Sequence, residues 1–200
     1  RDKTGFNPAF YNANSVSAQQ EKINQNPHFV YLAYFAPNVI KVGISQEERG
    51  IRRLLEQGAR LAIKLETFSS ALIARQYEAK ISKLDGIAET LPVHKKMELI
   101  KLPFDRATGE RELRQKLLEI EQKIGVSFPK SELIPCEDYF QTAGVDLSRV
   151  VLMKDYSQLV GHVRSVIGSI VITDYSGQPL AYNIKKFIGY RAQKVDGVID

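Results

Sequence analysis

A tyrosine and a lysine lie in the stretch HFVYLAYFAPNVIKVGIS, residues 28–45, on two apolar runs that a turn would bring side by side. The hydroxyl of Tyr31 can donate, accept or relay a proton, and the ammonium of Lys41 can hold a phosphate as a point charge. Downstream, Arg49, Arg53 and Gln57 recur at intervals of four, the spacing that aligns side chains on one helix face. Such a ladder either lies in solvent or grips an anion, and Arg52 competes with Arg53 for the second role while the register is open. Glu78 follows Tyr77 at the margin of an apolar stripe and is flanked by Arg75 and Lys80. It is either a surface ion-pair partner or a carboxylate able to hold a divalent metal. Towards the end of the chain, Tyr182, Lys185, Lys186, Tyr190 and Arg191 mix rings with cations. That mixture stacks bases and holds phosphates, or it guards an exposed sheet edge.

Other chemistries find less support. His28, His94 and His162 are far apart and lack metal-ligand spacing. One cysteine, Cys136, rules out an internal disulfide framework or a cysteine-rich zinc site within these residues, and it has no evident basic neighbour to make it a nucleophile. There is no phosphate-binding P-loop, dinucleotide fingerprint or nucleophile elbow. A net charge of +5 permits an anionic partner such as nucleic acid without demanding one, because Lys and Arg are spread along the chain. No apolar run has the length of a membrane span and nothing resembles a signal peptide, so the expectation is a cytoplasmic protein without a membrane partner. Its oligomeric state is open.

The elements that must position these residues can be outlined. Residues 1–28 form a polar arm, pinned by Phe6, Phe10 and Tyr11, with a short helix around 17–23 capped by Ser15 or Ser17. FVYLAYF and VIKVGIS are β-branched and aromatic, and APN between them predicts a hairpin. EERGIRRLLEQGA predicts a helix with Ile51, Leu54, Leu55 and Gly58 on one face, and LAIKLETF predicts a third strand. SSALIARQYEAKISKLDG predicts a longer helix, capped by Ser69 or Ser70 and stopped by Gly86, whose apolar face runs Ile73, Tyr77, Ile81, Leu84. The spacing predicts helix through 94–125, with Leu113, Leu117, Ile120 and Ile124 as a stripe, then a connector punctuated by Pro129 and Pro135. From about 148 onward, short glycine-punctuated strands predict a small, twisted, barrel-like module. The fold class is therefore α/β (α+β), divided into an arm (1–28), an α/β domain (29–93), a helical segment and connector (94–147) and a β-rich module (148–200).

The order hairpin, helix, strand, helix, with VYLAYFAPNVIKVGIS, RRLLEQ and ARQYEAKI in sequence, resembles the core of the GIY-YIG nuclease superfamily over residues 29–85. FNPAFYNA, PHFVYLAYF, IKVGIS, QGARLA and the C-terminal strands resemble a narrower bacterial family of proteins of unknown function, over most of the chain. The superfamily resemblance implies a nucleic-acid-binding protein and a Mg²⁺-dependent phosphodiesterase. It implies that Tyr31 helps to activate water, Lys41 and Arg53 grip the phosphate, and Glu78 holds the metal, since such cleavage needs a base, a cation and a metal-binding carboxylate. Two positions depart from that pattern. Lys41 stands where a second tyrosine belongs, and Gln57 stands where many members carry histidine. The departures also allow a phosphate-recognition module without turnover, or a protein-interaction scaffold. Arg49 and Arg52 on the helix, and Lys185, Lys186, Tyr190 and Arg191 in the tail, are further candidates for contact with nucleic acid. Gly43 is expected to serve backbone geometry.

Overall fold

The computed structural model describes residues 18–191 and 193. The three aromatics of the arm and both of its cap candidates lie outside them. The expected short helix is α1, Ala18–Gln25.

β1 (His28–Ala36) and β2 (Val39–Gln46) form the predicted antiparallel hairpin, with Tyr31 opposite Gly43 and Ala33 opposite Lys41. Pro37 presets the turn, and Asn38 completes it in the left-handed region at φ 60°. A short 3-10 turn over Glu47–Arg49 leads into α2 (Gly50–Gln57), then come β3 (Leu61–Phe68) and α3 (Ala71–Ile81). The β-β-α-β-α order read from the sequence is thus the observed one. β3 flanks β1 on the side away from β2, so β1 is the centre of a five-stranded sheet ordered β4-β2-β1-β3-β5. Every residue of β1 is buried because both of its faces are covered. Phe29, Tyr31, Ala33 and Phe35 enter one core cluster, and Val30, Leu32 and Tyr34 enter the other.

Several boundaries differ from the sequence expectation. Gly58 does not lie on the helix face: it caps the C-terminus of α2 at φ 72°. α3 ends at Ile81 rather than at Gly86. Ser70 is its N-cap but makes no side-chain capping bond. Its buried face is Ala71, Ala74, Glu78 and Ile81, while Ile73 is exposed and Tyr77 stacks on Phe68 at 4.5 Å between ring centroids. The small alanines let α3 approach the sheet closely, which the hydrophobic stripe alone does not reveal. The helical stretch over 94–125 is two helices, α4 (Val93–Leu99) and α5 (Arg106–Ile124), interrupted at Pro103. Pro disfavours helix at the residue before it, and Asp105 then restarts the chain as an N-cap that accepts from Thr108 N at 2.8 Å. Two short strands were not expected: β4 (Ile87–Ala88), parallel to β2, and β5 (Glu132–Ile134), within the connector and paired to β3.

The C-terminal part is β-rich, as the sequence implies, but it is an open sheet rather than a barrel. β6 (Val151–Leu152), β7 (His162–Ile167), β8 (Ile170–Tyr175) and β9 (Gln178–Asn183) are ordered β6-β9-β8-β7. Its apolar residues Ile167, Ile170, Ile172 and Ala181 join Phe29, Tyr31 and Leu54 in one core cluster. The β7–β8 turn presses on the end of α2: a Cβ at Gly168 would lie 2.8 Å from both Glu56 O and Gly58 N. No helix among the described residues is long and apolar enough to cross a membrane.

Candidate functional site

β1, β2, α2 and α3 bring their polar side chains to one open cavity of about 300 Å³. Tyr31, Lys41, Arg49, Arg53 and Glu78, all singled out from the sequence, line it. Arg75 and Glu89, which the sequence did not mark as functional, line it as well. Four cations therefore face two carboxylates.

Tyr31 points across Gly43. A Cβ on Gly43 would sit 2.5 Å from both Cζ and the hydroxyl of Tyr31. The glycine has an ordinary φ, so the expectation that it serves backbone geometry is corrected: it clears space for the ring. Tyr31 is completely buried with its hydroxyl against the Arg53 side chain, and burial raises its pKa while Arg53 opposes the rise. Arg53 beside it has an equally buried, unpartnered Nε. The Tyr31 hydroxyl and the Arg53 guanidinium thus meet at one wall of the cavity, where neither the hydroxyl nor Nε completes a well-aligned hydrogen bond within the protein.

Lys41 is 9 % exposed, and its Nζ donates to Val42 O at 2.8 Å. Burial brings its pKa down to about 8, opposed by the nearby Glu78 carboxylate and reinforced by Arg53. Glu78 is 4 % exposed and ion-paired to Arg75, which also reaches Glu89 at 3.7 Å. Burial pushes the Glu78 carboxyl up despite that partner. The ion pair foreseen at this position is real but buried, not superficial. Arg49 bonds Glu56, which lies 3.8 Å from Arg53.

The register of α2 separates the two arginine candidates: Arg53 lines the cavity, whereas Arg52 is exposed and does not. Gln57 lies behind Arg53 rather than at the cavity wall, with its amide oxygen within 3.0 Å of Arg53 Nη1 when turned that way. Lys185 and Lys186 occupy the 3-10 turn Ile184–Phe187, away from the cavity lining. Lys186 donates to Lys154 O at 2.6 Å and sits 4.2 Å over the Tyr156 ring. Tyr190 and Arg191 are exposed beyond the turn. Tyr182, the other ring of that basic stretch, is fully buried with its hydroxyl turned to Val160 N, so it has no face to offer a base. Cys136 is buried with its thiol pushed up to about 12, which makes it inert.

Among the described residues no three His, Cys, Asp or Glu side chains gather to hold a metal. Glu78 could serve Mg²⁺ only as one carboxylate of a shell completed by water and phosphate oxygens, a pattern common for that ion. Arg75 is ion-paired to that carboxylate, so a metal at Glu78 would compete with the pair.

Arg75 was hidden from sequence reasoning because a turn of helix separates functional and decorative cations only once the packed face is known. The buried alanines of α3 were the available signal, since they put Glu78 and not Lys80 against the sheet.

The chain belongs to the family described as protein of unknown function (DUF2797), which matches over residues 12–192. No curated protein and no solved structure matches it.

Proposed function

We propose that this cleft seats a backbone phosphate of a nucleic acid and that the protein cleaves the phosphodiester with the help of Mg²⁺. The observation that carries the reading is the convergence of Lys41, Arg49, Arg53 and Arg75 around Glu78, beside the buried hydroxyl of Tyr31. The likeness of the β1-to-α3 segment to GIY-YIG nucleases points the same way. Arg53 and Arg75 offer planar donor forks to phosphate oxygens.

Tyr31 stays protonated, because burial raises its pKa, and its hydroxyl orients the attacking water. Lys41, at about 8, is uncharged in roughly one molecule in ten at pH 7 and accepts the proton of that water. The arginines neutralise charge as it develops on the phosphoryl oxygens. Mg²⁺ at Glu78 would polarise a phosphoryl oxygen as a Lewis acid. Lys185, Lys186, Tyr190 and Arg191 would meet the flanking strand.

A second reading, recognition without turnover, is favoured by two observations. Arg75 occupies the Glu78 carboxylate, and Gln57 cannot take a proton. Labelled DNA and RNA, single-stranded, duplex and branched, incubated with Mg²⁺ or Mn²⁺, separate the readings. The nuclease reading expects metal-dependent cleavage that Glu78→Ala abolishes. Its rate should rise with pH up to about 8 and then level off, because the base must lose its proton. Salt-sensitive binding without cleavage in either protein would establish the recognition module. Neither binding nor cleavage would leave an interaction scaffold.

A further inference from the structure

Lys96 lies outside the cleft on α4 and is 8 % exposed. Its Nζ donates at 2.6 Å to the backbone carbonyl of Gln57, the last residue of α2, and lies 4.9 Å from the centre of the Phe35 ring. A cation at this end of a helix complements the helix dipole.

The side chain of Gln57 stands between two cations. With its amide oxygen towards Lys96, the Nζ···Oε1 separation is 3.3 Å, and the guanidinium of Arg53 faces an NH₂ group that cannot accept. With the amide turned over, the oxygen accepts from Arg53 Nη1 at 3.0 Å and Nη2 at 3.3 Å. One amide oxygen cannot serve both sides in this geometry. Because its oxygen and nitrogen are nearly the same size, the orientation is set by which neighbour must donate.

The charged groups that face Lys96 are Lys185 from the turn after β9, Lys41 from β2 and Arg53 from α2, all cations. No carboxylate pairs with it among the described residues. Burial, with those three cations behind it, brings Lys96 down to about 7.

We propose that Lys96 is a positioning residue for Arg53, acting through the Gln57 amide. As an ammonium it can only donate, so it claims the amide oxygen. As an amine it has a lone pair for the amide NH₂, and the oxygen passes to the guanidinium. Arg53 is then held by its two terminal nitrogens, its fork fixed before any anion arrives. Such preorganisation lowers the ordering cost of binding. Its consequence for the cleft rests on the reading of Arg53 as a phosphate grip, but the coupling itself needs no ligand.

The test is an NMR titration of the full-length chain between about pH 5 and 9, following the Arg53 Nε–Hε resonance, identified by its absence in Arg53→Lys. Wild type should show a transition centred near 7. Lys96→Met and Gln57→Ala should lose it, and Lys96→Arg should hold the resonance at its low-pH position. Gln57→Ala alters a partly exposed side chain and keeps the test available if Lys96→Met does not fold. A resonance that ignores pH, or that titrates alike in Gln57→Ala, overturns the proposal. A labelled mixed-sequence DNA duplex, added as a second arm, distinguishes the two levels. A titrating resonance without DNA binding keeps the Lys96 role and removes the nucleic-acid reading. Arg53-dependent binding without the titration does the reverse.

Discussion

Glycine opposite a buried tyrosine is the tightest constraint at the site. Gly43→Ala would put a methyl 2.5 Å from Cζ and the hydroxyl of Tyr31, so the ring must shift from its place at the cavity wall. We expect a loss of about 1–3 kcal/mol by chemical denaturation, the usual cost of overpacking, together with loss of whatever the cleft binds. The two buried lysines set a pH dependence of stability. An unfolded lysine titrates near about 10.4, whereas Lys41 titrates near 8 and Lys96 near 7 in the fold. The unfolded chain therefore binds more protons between those values, so stability rises as pH rises from about 7 to about 10. Lys41→Met should be more stable than wild type at pH 7 and should show a flatter rise, measured by urea denaturation at a series of pH values. At this scale the sequence was informative where a residue type is rare in its context, as with Tyr31 and Lys41 in apolar strands. It was silent on Arg75 and Lys96, ordinary helix cations whose importance arises only from what packs beside them.

Among the elements, α2 does the most positioning. It carries Arg53 at the cavity and Arg49 just before its first turn, and its far end is fixed from two sides. Lys96 bonds the carbonyl of Gln57, and the β7–β8 turn fits against Glu56 and Gly58. Gly168→Ala breaks that fit twice over, because its φ is +61° and its new methyl would meet backbone at 2.8 Å, where no side chain can swing aside. The variant should lose at least about 1–3 kcal/mol of stability, and an anion in the cleft should bind more weakly even where the protein remains folded, read by thermal denaturation and by titration. The hairpin, α2, β3 and α3 were legible because periodicity and turn residues agree there. The break between α4 and α5 was carried by Pro103 and Asp105, signals that the strong stripe Leu113–Leu117–Ile120 overshadowed. β4 and β5 have two and three residues, too few for any pattern to register.

At the scale of the whole molecule, the two sheets share a core. Ile167, Ile170, Ile172 and Ala181 from the C-terminal sheet lie in the same cluster as Phe29, Tyr31 and Phe35 from β1. Removing that sheet would uncover α2 and α4, against which β7 and β9 pack and whose apolar residues belong to the same cluster. The protein should therefore unfold in a single cooperative transition, with the same midpoint by far-ultraviolet circular dichroism and by tyrosine fluorescence. Two separated midpoints would show that the sheets stand alone. This sharing could not be read from the chain, because hydrophobic alternation says that a strand has a buried face but not which distant element covers it. The strand order β4-β2-β1-β3-β5 was hidden for the same reason.

The central claim is that an anion of the nucleic-acid backbone sits in this cleft, and two adjacent arginines test it most directly. Arg53 lines the cavity and Arg52 does not, yet replacing either by alanine removes the same charge from the same helix. The measurement is the affinity of a labelled oligonucleotide as a function of salt for wild type, Arg53→Ala and Arg52→Ala. The account predicts that Arg53→Ala weakens binding about tenfold or more and lowers the salt slope by about one, while Arg52→Ala changes affinity less than about twofold. Equal losses in the two variants, or no salt-dependent binding by wild type, would contradict it.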